Sequence, residues 1–404
     1  MNTKSLLILF WLTSVQCLAN NKIQIEDTAV TDSFCILLKK PLSQENIVTW
    51  NIPDSLEPNA KMNFFLGTKG TKPKEGYPVY IYLHGSGPRD REWATGLKLA
   101  NGFQDAPSMY IIPQIPQEGE WYRWWQRSKQ WVWEKLLRIL MSMPDVDKAR
   151  IYIFGISEGG YGSQRLASFY ADYWAAAGPM AGGEPLKNAP VENLGNVPLS
   201  FLTGEKDYMF YRHLLTKTTG EKLDSMQLLF PQEYIHCVKL IPNRGHSIDY
   251  TPTTPWLAQY KRNAQPKHFI WENFEMDGIK RNAFYNIEVL AEEDAFRTQY
   301  EFTTNTDNSL DIKVNAISYN TIWKDPNWGI DMLFDKKLTP AQHGHLRIFL
   351  SDMLVDLSKK ITIRINGKQI FHGKATKSKK TQRIAESLWG DPMRNFKHAV
   401  EVKW

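Results

Sequence analysis

Short apolar runs alternate with helix-length segments between residues 77 and 263. Such runs are typical of strands buried on both faces, as in a mostly parallel sheet covered by helices. The pattern predicts strands at residues 79–83, 110–113, 150–154, 175–180, 199–203 and 237–241. It predicts helices at residues 128–143, 161–173 and, more weakly, near Asn188. We therefore expect an α/β protein with a doubly wound, mostly parallel sheet.

Different patterns flank this region on both sides. Before it, strand-like pieces at 46–50 and 62–66 lie among proline and glycine turns, which predicts a β extension at the edge of the sheet. After it, Gln265-Pro266-Lys267 indicates a domain boundary. Alternating apolar and polar positions then predict antiparallel strands at 284–290, 310–317 and 361–365, the last followed by an Asn366-Gly367 turn. We expect an α/β domain over residues 20–265 and a smaller β-rich accessory domain over residues 266–404.

The first residues are typical of an export signal. Lys4 supplies a positive charge, residues 6–15 are apolar, and a small-x-small pair ends at Ala19, where we expect cleavage. A buried first strand or helix is the alternative interpretation. Lipid attachment at Cys17 is disfavoured because bulky Gln16 precedes it. No other run approaches the roughly 18 apolar residues of a membrane span, so we expect a soluble protein that is periplasmic or secreted.

Composition and charge narrow the function classes. The chain has 404 residues, of which 42% are hydrophobic and 23% charged, as in ordinary globular proteins. A formal charge of +6 from scattered basic residues does not favour nucleic acid as a partner, although weak attraction to an anionic substrate stays open. No Cys or His spacing indicates a metal, and we expect no cofactor. Export would leave Cys35 and Cys237, which allow one disulfide at most, with two buried thiols as the default.

Ser157 lies in the sequence Gly155-Ile-Ser-Glu-Gly159, after a predicted strand and before a predicted helix. A strand-to-helix turn this tight needs small flanking residues, and it exposes the serine at the carboxyl edge of the sheet. The amino end of the following helix also favours negative charge. A glycine-rich turn that only packs a strand on a helix is the alternative, but the context favours a nucleophile.

A serine hydroxyl requires a general base. His246 lies in a loop directly after the last predicted strand of the sheet, where a histidine can reach the same carboxyl edge. His84 precedes the serine and begins another loop, and His236 begins a strand. We therefore expect His246 to be the base, although a surface histidine is the alternative when it is considered alone.

The base requires an orienting carboxylate. Asp207 follows the predicted strand at 199–203 in a Gly-x-x-Asp turn, and Glu205 is the competing acid. The resulting order along the chain is serine, acid and histidine. The serine and the acid are 50 positions apart and the acid and the histidine are 39 apart, so each interval accommodates one or two strand-helix units.

An attacked carbonyl also needs hydrogen-bond donors for its oxyanion. The backbone N–H of Glu158, directly after the serine, is the first candidate. The second comes from the glycine-containing loop after residues 79–83, where we assign Ser86, with Gly85 and Gly87 as near equivalents.

An aromatic loop follows the predicted strand at 110–113 and projects from the same edge. Aromatic faces stack on sugar rings or aromatic acyl groups, and a guanidinium binds carboxylates. The candidate substrate-binding residues are Trp121, Arg123, Trp124 and Trp125. Packing against the core is an equally good interpretation of the three tryptophans.

Residues 77–263 resemble α/β-hydrolases, in particular the exported esterases that include feruloyl and acetylxylan esterases and polyhydroxybutyrate depolymerases. The resemblance rests on the sequences His84-Gly85, Gly155-Ile-Ser-Glu-Gly-Gly160, Gly204-Glu-Lys-Asp207 and Gly245-His246. It implies serine hydrolase activity with a triad of Ser157, Asp207 and His246. Glu158 departs from the small or aromatic residue of many relatives, so no relative's substrate is transferred. The C-terminal segment is similar to β-domains that accompany such hydrolases in polysaccharide-degrading bacteria.

The segment from Ser157 to Asp207 has no room for a large lid, which favours an open cleft and a bulky substrate. We expect an exported serine esterase that removes acyl groups from polysaccharides or oligosaccharides. A serine peptidase of the prolyl-oligopeptidase type is the alternative, although the preceding stretch is too short for a propeller. A non-catalytic binding protein on the same scaffold is a third hypothesis.

Overall fold

The computed structural model describes residues 28–292 and 297–404. The expected export signal, with its cleavage site after Ala19, lies outside the described residues. In the described part of the chain, no helix is both long and apolar enough to cross a membrane.

A sheet of eight strands forms the centre of the first domain. In spatial order the strands run β1-β2-β4-β3-β5-β6-β7-β8. The first two pair antiparallel, β2 pairs antiparallel with β4, and the rest are parallel. The strands are β1 (Ile47–Asn51), β2 (Lys61–Lys69), β3 (Tyr77–Leu83), β4 (Ser108–Pro113), β5 (Val146–Ile156), β6 (Ala176–Met180), β7 (Leu199–Gly204) and β8 (His236–Ile241). The predicted parallel sheet and its β extension are therefore present.

Helices cover both faces of this sheet. Along β3, Val79, Ile81 and Leu83 join one buried cluster, whereas Tyr80 and Tyr82 join the cluster on the opposite face. The continuous apolar run thus reflects burial on two sides. The helices are α1 (Thr28–Leu37), α2 (Arg89–Gly102), α3 (Arg127–Ser142), α4 (Glu158–Phe169), α5 (Arg212–Leu229) and α6 (Thr253–Leu257).

The helix predicted near Asn188 is wrong. The chain forms a turn there, followed by a short 3₁₀ segment at Val191–Leu194. Pro185 and Pro190 flank the turn, and proline disrupts a helix that would continue through it. The sequence pattern also missed α1, α2, α5 and α6.

The residues beyond 267 form two further sheets. One has the order β10-β11-β15-β19-β18, and the other has the order β17-β16-β13-β12-β9 with β14 paired to β13. All pairs are antiparallel except β13 with β16, a departure from the purely antiparallel unit that we expected. The elements are β9 (His268–Asn273), β10 (Ala283–Phe284), β11 (Ile287–Glu292), β12 (Arg297–Thr304), β13 (Ser309–Lys324), β14 (Asp331–Pro340), β15 (Gly344–Leu350), β16 (Ile361–Ile365), β17 (Lys368–Gly373), β18 (Thr376–Lys377), α7 (Lys379–Trp389) and β19 (His398–Lys403).

Aromatic rings pack between these two sheets. Trp271 of β9 stacks on Phe284 of β10 with ring centroids 5.1 Å apart, and the ring of Phe269 in β9 lies 5.8 Å from the same Phe284 ring. The buried residues of these β sheets join the same apolar cluster as one face of the eight-stranded sheet, so the two parts of the chain pack against each other and the boundary at residue 265 stays a prediction.

Buried ion pairs join the two domains. Asp172, from the segment after α4, pairs with Arg281 and Arg394. Asp391 lies 2.8 Å from Arg262 and 2.8 Å from Arg394. Burial by itself would raise the pKa of Asp391, but the two guanidinium groups outweigh it and lower that pKa to about 2. The same balance lowers the pKa of Asp172, so both acids are charged in the folded protein.

Both described cysteines are free. Cys35 in α1 and Cys237 in β8 are half-buried thiols, more exposed than the buried thiols we expected.

Candidate active site

Glycines make the turn around Ser157 sterically possible. A Cβ atom on Gly155 would lie 2.4 Å from the carbonyl oxygen of Gly159, and one on Gly159 would lie 1.9 Å from the carbonyl oxygen of Leu83. Both distances are far below any real contact. The turn therefore brings β3, β5 and α4 together at one point, directly below the serine.

Ser157 itself has a strained backbone, with φ 58° and ψ −117°. Such conformations cost about 1–3 kcal/mol and persist only where the surroundings impose them. Here the N–H of Ser157 donates to the carbonyl oxygen of Met180 in β6 at 2.9 Å, and α4 begins at the next residue. The serine is thus fixed between the carboxyl end of β5 and the amino end of α4.

The structure brings the three expected polar side chains together. Oγ of Ser157 lies 3.0 Å from Nε2 of His246, and Nδ1 of His246 lies 2.6 Å from Oδ2 of Asp207. Asp207 is 3% exposed, whereas the His246 side chain is 45% exposed. An ionised carboxylate can only accept, so Nδ1 carries the imidazole hydrogen and the lone pair of Nε2 faces the serine.

The competing acid Glu205 makes a different contact. Its Oε2 accepts a hydrogen bond from the backbone N–H of Asn243 at 2.9 Å, so it ties the histidine loop to the loop after β7. Gly204 permits this approach, since a Cβ there would lie 1.9 Å from the carbonyl oxygen of Gly245. His236 is engaged elsewhere, with its Nε2 3.1 Å from Asp224.

Arg212 is a site residue that the sequence reasoning missed. Its Nη1 donates to Oδ1 of Asp207 at 2.9 Å and its Nε donates to the hydroxyl of Tyr161 at 2.9 Å. Burial would raise the pKa of Asp207, but the hydrogen bond to His246 and the charge of Arg212 outweigh it, so that pKa is lowered. The only sequence signal was a basic residue five positions after the acid.

An unusual turn lies between Asp207 and Arg212. Phe210 (φ 54°) and Tyr211 (φ 57°) are consecutive non-glycine residues in the left-handed region. Each costs about 1–2 kcal/mol relative to a right-handed conformation. Contacts from elsewhere in the chain must therefore hold this turn.

The loop after β3 lies directly beside the serine. A Cβ on Gly85 would lie 3.2 Å from the Cβ of Ser157. The carbonyl oxygen of Gly85 accepts from the hydroxyl of Tyr122 at 2.6 Å. Because a trans peptide holds its C=O and N–H on opposite sides, the N–H of Ser86 points away from buried Tyr122.

His84 supports this loop from inside. Burial lowers the pKa of His84 to about 4, although a backbone hydrogen bond to Gly85 acts in the opposite direction. Its Nε2 accepts from the N–H of Ile115 at 3.1 Å, so Nδ1 carries the hydrogen and donates to the carbonyl oxygen of Gly85 at 2.9 Å. This buried, neutral ring is therefore structural.

Glu158, the first residue of α4, carries an unusual carboxyl group. Its side chain is 9% exposed, Oε2 lies 3.7 Å from Nη1 of Arg123, and Oε1 has no hydrogen-bond partner among the described residues. Burial raises the pKa of Glu158 to about 7, although Arg123 acts in the opposite direction. The charge beside the serine therefore changes near neutral pH.

The aromatic loop divides into core and surface residues. Trp124 is fully buried, donates from Nε1 to the carbonyl oxygen of His84 at 3.1 Å and packs against Gly162. Its predicted contact with substrate is therefore wrong. Trp121 and Trp125 are half-buried, and Trp125 stacks under Arg165 at 4.0 Å. Arg123 is exposed and lies beside Glu158, so these three stay candidates for substrate contact.

Three features define an α/β-hydrolase fold. They are the order of the strands in the eight-stranded sheet, the turn at Ser157, and the loops that bring Asp207 and His246 together. In the described ranges, no cluster of His, Cys, Asp and Glu side chains could hold a metal ion.

Solved structures with similar folds include three hydrolases. A thermostable esterase aligns at 21% identity and a TM-score of 0.39 over 54% of this chain and 63% of its own. A ferulic acid esterase from the fungus Anaeromyces mucronatus aligns at 14% identity and a TM-score of 0.37 over 52% of this chain and 87% of its own. A fluorophosphonate-binding serine hydrolase from Staphylococcus aureus aligns at 13% identity and a TM-score of 0.37 over 52% of this chain and 98% of its own. At TM-scores below 0.5 these likenesses carry no argument about this chain, and the fold rests on its own sheet order and site geometry. No protein-family model and no curated protein sequence matches the chain.

Proposed function

We propose that the protein is an exported serine esterase that hydrolyses carboxylic esters, with acyl groups on polysaccharides or oligosaccharides as substrates. The observation that carries this proposal is the unbroken line of contacts from Ser157 through His246 to Asp207, at 3.0 and 2.6 Å. These distances fit proton transfer from the hydroxyl to an imidazole that a buried carboxylate orients.

In this mechanism Ser157 attacks the ester carbonyl while Nε2 of His246 accepts its proton. Asp207 stabilises the imidazolium, and the backbone N–H groups of Glu158 and Ser86 bind the oxyanion. The proton then passes to the leaving alkoxide, which departs as an alcohol and leaves an acyl-enzyme. Water, deprotonated by the same imidazole, releases the acid and regenerates the serine.

The assignment of Ser86 draws support from the peptide that precedes it. Tyr122 and His84 both bind the Gly85 carbonyl oxygen on the buried side of this peptide. The opposite side, which carries the N–H of Ser86, faces away from the core. Glu158 begins α4, so its N–H has no preceding helical turn to bond with.

An open site supports a bulky substrate. The histidine side chain is 45% exposed, and only turns and a 3₁₀ segment connect β6 to β7. Trp121, Arg123 and Trp125 lie on the loop beside Glu158, where they would contact a sugar ring or an aromatic acyl group.

A fluorophosphonate probe tests the nucleophile. We expect covalent labelling of Ser157 in the folded protein and none in Ser157→Ala, which should keep the native circular dichroism spectrum. An unlabelled wild-type protein would instead support a binding function. Initial rates on acetyl and feruloyl sugar esters should exceed those on aminoacyl amides, and faster amide turnover would favour a peptidase.

A further inference from the structure

The hairpin of β13 and β14 connects the C-terminal domain to the turn between Asp207 and Arg212. The hydroxyl of Tyr211 donates to Oδ1 of Asp325 at 2.9 Å, and the rings of Phe210 and Trp328 lie 4.4 Å apart. Asp325 is 1% exposed although it lies at the hairpin tip. Both left-handed residues of the turn are therefore in contact with the tip.

The hairpin tip has internal hydrogen bonds that fix its shape. Oδ2 of Asp325 accepts from the N–H of Trp328 at 2.6 Å, and the N–H of Asp325 donates to the carbonyl oxygen of Ile330 at 2.8 Å. A second anchor is the ion pair between Lys187 and Asp331 at 2.9 Å. The tip is thus a preformed support and not a loose loop.

The supported turn leads directly into the acid of the triad. Arg212 follows Tyr211, its guanidinium carbon lies 5.0 Å from the centre of the Phe210 ring, and its Nη1 binds Asp207. A shift of the turn would therefore move Arg212, and with it the orientation of the Asp207 carboxylate.

We propose that the β13–β14 hairpin is a positioning element of the active site, because Asp325 and Trp328 hold the left-handed turn that aims Arg212 and Asp207 at His246. This inference rests on the proposed hydrolase function. It assigns the C-terminal domain a part in the reaction besides any contact with substrate. Tyr211, Asp325 and Trp328 are positioning residues, since each acts through another side chain.

Two variants test the inference in the full chain. Tyr211→Phe removes one hydroxyl and Trp328→Ala removes one ring. We expect each to lower kcat on p-nitrophenyl acetate, and the rate of fluorophosphonate labelling, about tenfold, with KM unchanged. The matched control is Tyr319→Phe. Tyr319 lies in the same hairpin, and its hydroxyl donates to the Glu272 carboxylate at 2.7 Å, away from the loop that carries Asp207. Its kcat should equal that of the wild type.

A double variant sharpens the test. If the Tyr211 hydroxyl acts through Asp325, Tyr211→Phe combined with Asp325→Asn should be no slower than the slower single variant. Unchanged kcat in both Tyr211→Phe and Trp328→Ala would overturn the inference, as would an equal loss in Tyr319→Phe or a rise in KM alone. These results leave wild-type labelling of Ser157 intact, whereas an unlabelled wild type would refute the hydrolase function itself.

Discussion

Replacing Glu158 by glutamine should change how activity depends on pH. The wild-type carboxyl group has a pKa raised to about 7 by burial, so it is neutral below that pH and negative above it. The oxyanion that we assign to the N–H of this same residue is also negative. Glu158→Gln keeps the size of the side chain and fixes it in a neutral form.

The expected size of the effect follows from simple electrostatics. For an assumed separation of about 6 Å, the carboxylate and the oxyanion repel by about 3 kcal/mol at an effective dielectric constant of about 20, which corresponds to roughly a hundredfold in rate. The charged form of Glu158 should therefore contribute little to turnover. At about pH 8, one unit above the pKa, roughly one tenth of the wild-type molecules hold the neutral form. The variant should be about tenfold faster there, and equal to the wild type near pH 6.

The assay is kcat/KM on p-nitrophenyl acetate across this pH range. Glu120→Gln is the matched control, because it removes an exposed carboxylate from the same side of the site and should leave the profile unchanged. If Glu158→Gln and the wild type kept one ratio of kcat/KM at every pH, the carboxyl group would not act on the oxyanion and the reasoning would be refuted.

Further predictions concern the proposed triad acid, Asp207, and the buried ion pairs. Asp207→Asn should lower kcat/KM by about 10³–10⁴ by favouring the wrong tautomer of His246, and a larger loss in Glu205→Gln would contradict this assignment. Asp172→Asn should lower the free energy of unfolding in urea by about 3–5 kcal/mol, because two buried guanidinium groups lose a partner; a loss below about 1 kcal/mol would argue against it. The pKa of Asp391 is lowered from 3.8 to about 2. At about 1.4 kcal/mol per pKa unit, the ionised Asp391 should add about 2 kcal/mol to the free energy of unfolding above pH 3.8, and this contribution should disappear as the pH falls toward 2. Acid titration of the wild type should show this dependence, and it should be smaller in Asp391→Asn.

The sequence predicted the elements that have a strong periodic pattern. Continuous apolar runs identified the central strands, because these are buried on both faces. Helix α5 was missed because Gly220 and scattered polar residues weaken its pattern, and tertiary contact decides instead. Gly220 lets the helix approach β8, where an added Cβ would lie 3.1 Å from the side chain of Val238.

The site was predictable only where local geometry dictates chemistry. The turn at Ser157 has a sequence signature because its glycines are sterically required. Burial has no such signature, so the sequence alone could not distinguish buried Trp124 from half-buried Trp125 in one aromatic loop. It could not give the raised pKa of Glu158 for the same reason. Arg212 was missed because its contact with Asp207 depends on a left-handed turn that no local pattern indicates.

Strain links the active site to the rest of the chain. Ser157, Phe210 and Tyr211 all have a positive φ, and at about 1–3 kcal/mol each none would hold that conformation in isolation. The first is held by β6 of its own sheet, but the other two contact Trp328 and Asp325, more than a hundred residues later. The geometry of the acid is therefore set by both domains. Buried Arg-Asp pairs also cross the junction between the two domains. A chain cut near residue 265 would therefore lose both the contacts that position Asp207 and the ion pairs that stabilise the interface. Point variants of the intact chain separate these two effects and are the sharper test.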